Sequence, residues 1–204
     1  MGKTSYKILI LEETDVHRVV LYHATTQFSW GKITSDGMKI PRTDWTRFYL
    51  GTNRKKPGSL GYGAYGFLND MDLARQFLPA TTSGKDYVII KITININPER
   101  CLNLVDDLAD MKLLRDFLLE KWVKESVTIL KRFYRNTFKQ HSLDGALLEF
   151  FIRSMVKEGQ FEQVDCICCA TTTSLYPYLD TFLPNGIEHC IRNQEIIKGI
   201  VRSD

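Results

Sequence analysis

The sequence lacks long hydrophobic runs, and this absence excludes a protein that spans a membrane with helices. No uninterrupted apolar stretch reaches the roughly 18 residues that a transmembrane helix needs. The apolar run at 8–11 is short and is followed by two glutamates, so we do not expect a secretory signal. These absences predict a cytoplasmic protein with no membrane partner.

The cysteine content does not suit a disulfide-stabilised protein. The chain has five cysteines, an odd number, and three of them lie in the apolar run at 164–170. Free thiols in such a run usually behave as small buried hydrophobic groups. We therefore expect a reducing compartment, no disulfide framework and no metal site.

Acidic residues are scarce in two parts of the chain, although the net charge is only +3. Residues 112–139 hold eight Lys or Arg against three acids, and a second basic group consists of Arg42, Arg47, Arg54, Lys55 and Lys56. Such groups suit a polyanionic partner such as nucleic acid. A solvated helix face and a charged loop would produce the same pattern, so both interpretations stay open.

Hydrophobic periodicity predicts an α+β fold. Apolar alternation and β-branched runs predict strands at 6–11, 18–24, 47–52, 64–68, 87–96, 101–105, 164–170 and 188–200. Helical spacing predicts helices at 28–35, 71–78 and 143–158, and two more within 108–138. Strands at both ends enclose a helical block, so the helices are segregated. We expect a single domain over residues 1–204 with a helical insertion at about 108–160.

The first candidate for chemistry is the end of the strand predicted at 18–24. His23 is followed there by the small residues Ala24 and Thr25, which would leave backbone N–H and C=O groups accessible to a ligand. A histidine with only a local hydrogen bond at a strand end fits the same pattern.

The second candidate is a segment of alternating glycines and aromatic residues, Gly61-Tyr62-Gly63-Ala64-Tyr65-Gly66-Phe67. Glycines allow close approach of the backbone to another group, and the aromatic rings offer flat faces. The segment is not a nucleotide-phosphate loop, because it lacks G-x-x-x-x-G-K. A glycine-rich turn with core aromatics remains the alternative.

The third candidate is Glu188, a single acid at the start of the last apolar-rich segment. The loop that leads into it, at 171–184, is rich in Thr, Tyr and Pro. A carboxylate at the mouth of a strand can be placed over a bound substrate. An ordinary surface strand can begin in the same way.

In this order, the three segments resemble the ADP-ribosyltransferase superfamily, in the His-Tyr-Glu branch that includes the poly(ADP-ribose) polymerase catalytic domain and diphtheria-type toxins. Leu21-Tyr22-His23-Ala24-Thr25 is similar to the family's W-H-G-S/T, and the glycine-rich segment to its G-x-G-I-Y. The segment 188–197 is similar to its E-Y-x-V-Y-x-x-x-Q-I/V. The resemblance spans nearly the whole chain in three short blocks. It implies a split antiparallel β-sheet core with the helical block between strands.

The resemblance also implies a site for NAD⁺ as co-substrate, without a metal. Glu188 would be the catalytic residue, holding the nicotinamide ribose and stabilising the positive charge that develops on it. His23 would hold the adenosine ribose, the backbone of Ala24 would bind the nicotinamide amide, and Thr25 would add a hydroxyl contact. Tyr65 would stack on the nicotinamide.

Other positions match the family less closely. Phe77 is a second stacking candidate, and Tyr49 is a rival to Tyr65 because some bacterial relatives have a similar F-Y-L segment. Ala24 stands where the family has Gly. Leu73 stands near its amide-binding Ser, and Gln76 at its stacking Tyr.

The activity implied is mono-ADP-ribosyl transfer to a macromolecular acceptor, either protein or nucleic acid such as RNA. Tyr176, Tyr178 and Phe182 lie in the loop that helps to choose the acceptor in that family, where aromatic rings can stack on bases. Family habits suggest a toxin of a toxin–antitoxin pair, with an antitoxin protein as partner, or a phage-defence or phage-encoded modifier. The alternatives are an inactive module that binds NAD or nucleic acid, and an NAD-glycohydrolase that uses water as acceptor.

Overall fold

In the computed structural model, residues 16–81, 86–137, 140–173 and 183–204 are described. The strands are β1 (His17–Thr26), β2 (Ala64–Leu68), β3 (Tyr87–Ile96), β4 (Cys101–Leu104), β5 (Asn136–Thr137), β6 (Gln140–His141), β7 (Cys166–Thr171), β8 (Gly186–Ile191) and β9 (Ile197–Arg202). The helices are α1 (Gln27–Asp36), α2 (Trp45–Phe48), α3 (Met71–Thr81), α4 (Leu108–Leu119), α5 (Lys121–Leu130) and α6 (Ser142–Lys157). The strand expected at 6–11 lies outside the described residues.

Seven of the strands form one sheet in the order β4-β7-β8-β2-β1-β3-β9, which confirms the α+β class. The sheet is mixed: β4 and β7 are parallel, while the other neighbours are antiparallel. The parallel pair follows from the helical block, since the chain crosses over through α4, α5 and α6 between these two strands. Strands β5 and β6 form a separate two-stranded ribbon.

The junction between β1 and β2 is the narrowest in the sheet. These strands pair only at Leu21 with Leu68 and at Tyr22 with Phe67, whereas β1 pairs with β3 from His17 to Thr26. Two well-paired halves therefore meet at a short junction, and β1 extends past it without β2 beside it.

Each face of the sheet is covered by its own hydrophobic core. One core, built around Phe117, Phe151 and Tyr134, joins the helical block to the sheet. The other, around Leu21 and the buried isoleucines of β3, is covered by α1 and the segment that follows it. Among the described residues, no helix is both long and apolar enough to cross a membrane.

Most sequence-predicted elements are confirmed, but the strand expected at 47–52 is wrong. The Asp44 side chain accepts a hydrogen bond from the Thr46 N–H at 3.1 Å and so starts the short helix α2. Phe48 at the end of α2 is fully buried against Tyr134, and this contact favours the turn. For α3, Asp70 is the capping residue, because its Oδ1 accepts from the Leu73 N–H at 2.8 Å.

Candidate functional site

A cleft of about 1540 Å³ opens where β1 and β2 diverge. The residues that line it include His23, Thr25, Tyr65, Phe77 and Glu188. The fold thus brings together side chains from all three segments that the sequence singled out.

The cleft reaches both faces of the sheet. Tyr22 pairs with Phe67, which in turn pairs with Glu188. Residues in register share a face and alternate along each strand, so Glu188 lies on the face of Phe67, whereas His23 is on the opposite face. The gap beyond the β1–β2 junction gives both side chains access to the same cavity.

Glu188 is buried in the wall of the cleft, on β8, an interior strand of the sheet. It is 8% exposed and pairs with Phe67 on one side and Cys169 on the other. Its Oε2 accepts a hydrogen bond from the Ser59 hydroxyl at 2.6 Å. Burial raises the pKa of Glu188, while the Ser59 hydrogen bond and the nearby His141 lower it. When ionised, this carboxylate is a fixed hydrogen-bond acceptor in a site of low polarity.

Tyr65 lines the cleft and also holds the loop at 58–63, which precedes β2 and is called the glycine-rich loop below. Its hydroxyl donates to the Gly61 carbonyl at 2.6 Å and accepts from the Leu60 N–H at 3.0 Å. A side chain at Gly58 would overlap the tyrosine ring, so glycine is required there for this contact. Burial raises the pKa of Tyr65 well above its usual value, and the phenol stays protonated.

His23 faces the loop from the other side of the gap. It lines the cleft together with Lys55 and Tyr65. Burial lowers the pKa of His23; the backbone of Tyr65 opposes this shift, and the positive charge of Lys55 adds to it. The imidazole is therefore neutral at pH 7 and can exchange hydrogen bonds with a neutral ligand group such as a ribose hydroxyl.

The backbone of Ala24 points into the gap, although its side chain packs in the core. The carbonyl of Val20 accepts from the Asn69 N–H at 3.0 Å and so points towards the side of β2. Every second residue of a strand directs its backbone N–H and C=O to the same side, so those of Ala24 also point towards the side of β2. Ala24 lies beyond Tyr22, the last residue of β1 that pairs with β2, so its backbone groups face the gap. Ala24 thus offers a donor and an acceptor to a bound amide.

The helix α3 supplies an aromatic wall, and it has Leu73 near the position of the family's amide-binding Ser. Phe77 is 37% exposed and packs edge-to-face on Phe67, with 5.6 Å between ring centroids. Gln76 also lines the cleft. Leu73 is buried among Phe67 and Ala74, so its apolar side chain cannot replace a serine that binds an amide.

Tyr49 is not among the residues that line the cleft. Its ring packs at right angles to Phe48 and Phe150, at 5.2 and 6.3 Å between centroids. The three aromatic residues proposed for acceptor choice, Tyr176, Tyr178 and Phe182, lie outside the described residues.

A buried ion pair, which the sequence did not predict, holds the glycine-rich loop on the side of α6. Glu149 of α6, 1% exposed, pairs with Arg192 just after β8 and accepts from the Tyr62 N–H at 2.8 Å and the Thr43 hydroxyl at 2.6 Å. Arg192 also donates to the Tyr62 carbonyl at 3.3 Å. An acid within the apolar run Leu147–Ile152 was a signal that a buried partner exists.

Ser59, His141 and Lys55 are further cleft residues that the sequence did not reveal. Ser59 lies between the glycines at 58 and 61, just before the glycine-rich segment, and this was its one signal. His141 and Lys55 had no local signal, because their place beside Glu188 and His23 depends on chain segments far apart in sequence.

The thiols and acids show no metal site within the described ranges. Cys166 and Cys169 have the spacing of a C-x-x-C motif, but strand alternation places them on opposite faces of β7. All five cysteines are free, and no group of three potential ligands is found among the residues that the structure describes.

Two comparisons, with family models and with curated proteins, returned no match. A functional assignment for this chain therefore depends on its own residues and their geometry.

Proposed function

We propose that this protein is an NAD-dependent mono-ADP-ribosyltransferase, which cleaves the nicotinamide glycosidic bond of NAD⁺ and transfers ADP-ribose to a macromolecular acceptor. The observation that supports this most strongly is the position of Glu188. It is a buried carboxylate in the wall of a cleft that His23 and Tyr65 also line. The resemblance noted in the sequence assigned these three residues to one site.

Glu188 would act on the charge that develops in the reaction. As the C–N bond to nicotinamide breaks, its electron pair leaves with the nicotinamide and positive charge builds on the ribose. A carboxylate that accepts a hydrogen bond from a ribose hydroxyl stabilises that charge where it appears. The Ser59 hydroxyl holds one carboxylate oxygen, which leaves the other for the ribose.

The rest of the cleft has groups suited to the other parts of NAD⁺. The backbone of Ala24 can bind the carboxamide, and the rings of Tyr65 and Phe77 can cover the nicotinamide. His23 suits the adenosine ribose. Lysines along the lining, including Lys32 and Lys55, suit the diphosphate.

Replacement of the carboxylate tests the proposal. In Glu188→Gln, we expect release of nicotinamide from NAD⁺ to fall by roughly 100-fold or more, since a preorganised stabilising group is lost. Binding of NAD⁺, measured by calorimetry, should change little. Glu195→Gln is the matched control, because Glu195 is an exposed acid in the same segment that does not line the cleft.

Folding of Glu188→Gln should be unimpaired. A carboxyl whose pKa is raised on folding favours the folded state while it is protonated, and this contribution is lost as pH rises through the folded-state pKa. At pH 7.5 a neutral Gln therefore costs less to bury than the ionised carboxylate, and the urea midpoint should stay the same or rise. Full NAD⁺ turnover in the folded variant would sink the assignment.

A binding module without catalysis is the second candidate, and Leu73 favours it. A buried leucine replaces the hydroxyl expected near the nicotinamide amide, which weakens the hold on that group. Incubation with labelled NAD⁺ and cell extract separates the candidates. Label on a macromolecule supports a transferase, free ADP-ribose alone supports a glycohydrolase, and bound but intact NAD⁺ supports the module.

A further inference from the structure

Three cations from each basic group of the sequence meet on one surface beside the cleft, which Lys55 and Lys56 line. The segment 131–135, which follows α5, packs on the loop after α2. The Tyr134 hydroxyl donates to the Phe48 carbonyl at 2.7 Å, and the Lys56 ammonium donates to the Phe133 carbonyl at 3.3 Å. Gly51 lies so close to Phe133 that any side chain there would overlap its ring. Residues some 80 positions apart thus form a single surface.

This surface, here named the basic entrance patch, consists of Arg54, Lys55, Lys56, Lys131, Arg132 and Arg135. None of these cations forms an ion pair with a carboxylate within the described parts of the chain. Lys56 is held by backbone carbonyls and lies over the Tyr134 ring at 4.8 Å, and the other five are exposed. Their charge is therefore directed to solvent and to any anionic partner.

The patch adjoins Glu188 from two sides. Lys55 and Lys56 line the cleft, and Ser59, which binds Glu188, follows them in the same loop. On the other side, the Arg135 N–H and C=O both bond to the Ser142 hydroxyl, at 3.2 and 2.8 Å. Ser142 follows His141, which lines the cleft together with Glu188. A chain bound along the patch would therefore reach the carboxylate.

Two half-exposed aromatic rings lie beside the cations. Phe133 is 38% exposed and lies against Gly51, and Tyr49 is 37% exposed and packs on Phe48. Cations that follow a phosphate backbone, combined with rings on which bases stack, are the features of surfaces that bind single-stranded nucleic acid. A duplex hides its base faces, and the carboxylate side chains of an acidic peptide have no aromatic faces on which these rings could stack.

We infer that the acceptor is a single-stranded nucleic acid bound on the basic entrance patch, an inference that rests on the proposed transferase. A nitrogen or hydroxyl of the bound nucleotide forms the new bond to the ribose C1′. Nicotinamide leaves as a neutral molecule with the electron pair of the broken C–N bond, and the proton of the acceptor group passes to water.

Direct binding tests the surface without any need for catalysis. The probe is a fluorescein-labelled 20-nucleotide RNA of mixed sequence, compared with DNA of the same sequence and with the duplexes of both. Fluorescence anisotropy should show a Kd of roughly 1–100 µM for at least one single strand, weakening as NaCl rises from 50 to 200 mM. In Lys131→Glu/Arg132→Glu the affinity should fall about tenfold or more, with a shallower salt dependence.

The matched control is Arg18→Glu/Lys198→Glu, which makes the same charge change at two exposed positions, one on β1 and one on the edge strand β9, neither of which lines the cleft. Its affinity should stay within about twofold of the parent protein. Equal losses in the two double variants, tighter binding to the duplex, or no binding up to about 100 µM would each overturn the inference.

Transfer from labelled NAD⁺ provides the second readout. The RNA or the DNA should take up label, and Lys131→Glu/Arg132→Glu should reduce this labelling at least tenfold. Release of nicotinamide in the absence of acceptor should be unchanged, because neither residue lines the cleft. Label confined to protein would overturn the inference. Binding of RNA by a protein that never turns over NAD⁺ would contradict the proposed transferase and support the patch as a nucleic-acid surface.

Discussion

At the scale of single residues, the site depends on one buried carboxylate and the hydroxyl that holds it. Glu188 is removed from water, which opposes its ionisation, and the Ser59 hydrogen bond at 2.6 Å favours ionisation. The same contact orients the carboxylate. Ser59 is thus a positioning residue that acts through Glu188.

Ser59→Ala should move the acid limb of the pH–rate profile to higher pH. In the proposed reaction the ionised form of Glu188 is the active form. Its pKa is raised by burial, and loss of the Ser59 hydroxyl removes a contact that lowers this pKa. The measurement is kcat/KM for nicotinamide release against pH. Ser126→Ala on the exposed face of α5 should leave the profile unchanged. An acid limb that stays in place in Ser59→Ala would contradict the role given to this serine.

At the scale of elements, the glycine-rich loop is held between β2 and α6. The Tyr65 hydroxyl ties it from the strand side, and Glu149 binds the Tyr62 N–H from the helix side. Gly145 allows the close approach, because a Cβ there would overlap the Gly58 carbonyl oxygen. The helical block therefore positions the loop that presents Ser59 to Glu188.

Gly145→Ala should impair both folding and activity. The added methyl group would push α6 away from the loop, and overpacking of this kind costs about 1–3 kcal/mol. Gly31→Ala is the control, since no atom lies within 4 Å of a Cβ built at that position in α1. This control should be more stable by about 0.5–1 kcal/mol, because alanine is favoured over glycine in a helix. Urea unfolding of both variants measures the contrast, and equal stabilities would refute the packing argument.

At the scale of the whole molecule, the Glu149–Arg192 pair joins the helical block, the loop and the end of β8. Both groups are largely withdrawn from water, with the Glu149 side chain 1% and the Arg192 side chain 16% exposed. Such a pair contributes little net energy when intact, but removal of one member leaves a buried charge without compensation.

Glu149→Ala should lower the free energy of unfolding by about 3–5 kcal/mol. Glu158→Ala, at the exposed end of the same helix, should change it by less than about 0.5 kcal/mol. The double variant Glu149→Leu/Arg192→Met should recover much of the loss, because no charge is then buried alone. A loss below about 1 kcal/mol in Glu149→Ala would mean that the pair does not join these parts of the fold.

The sequence by itself determined the local structure and the chemical types of the site. Alternation along 87–96 specified the long strand β3, helical spacing specified α6, and the α+β class followed from their order. His23, Tyr65 and Glu188 were recognisable because strand ends and glycine-rich turns have local signatures. The strand predicted at 47–52 is wrong, because burial of Phe48 and the Asp44 cap favour the short helix α2 over an extended segment.

Only the tertiary structure decided which groups meet. The pairing of β1 with β2 stops at Tyr22, and the resulting gap allows His23 and Glu188 to line the same cleft. The partners of Glu188, the Glu149–Arg192 pair and the basic entrance patch join residues that lie far apart in the chain. Local propensity depends on neighbours in sequence, whereas these contacts depend on register and packing between distant segments, and no local pattern specifies them.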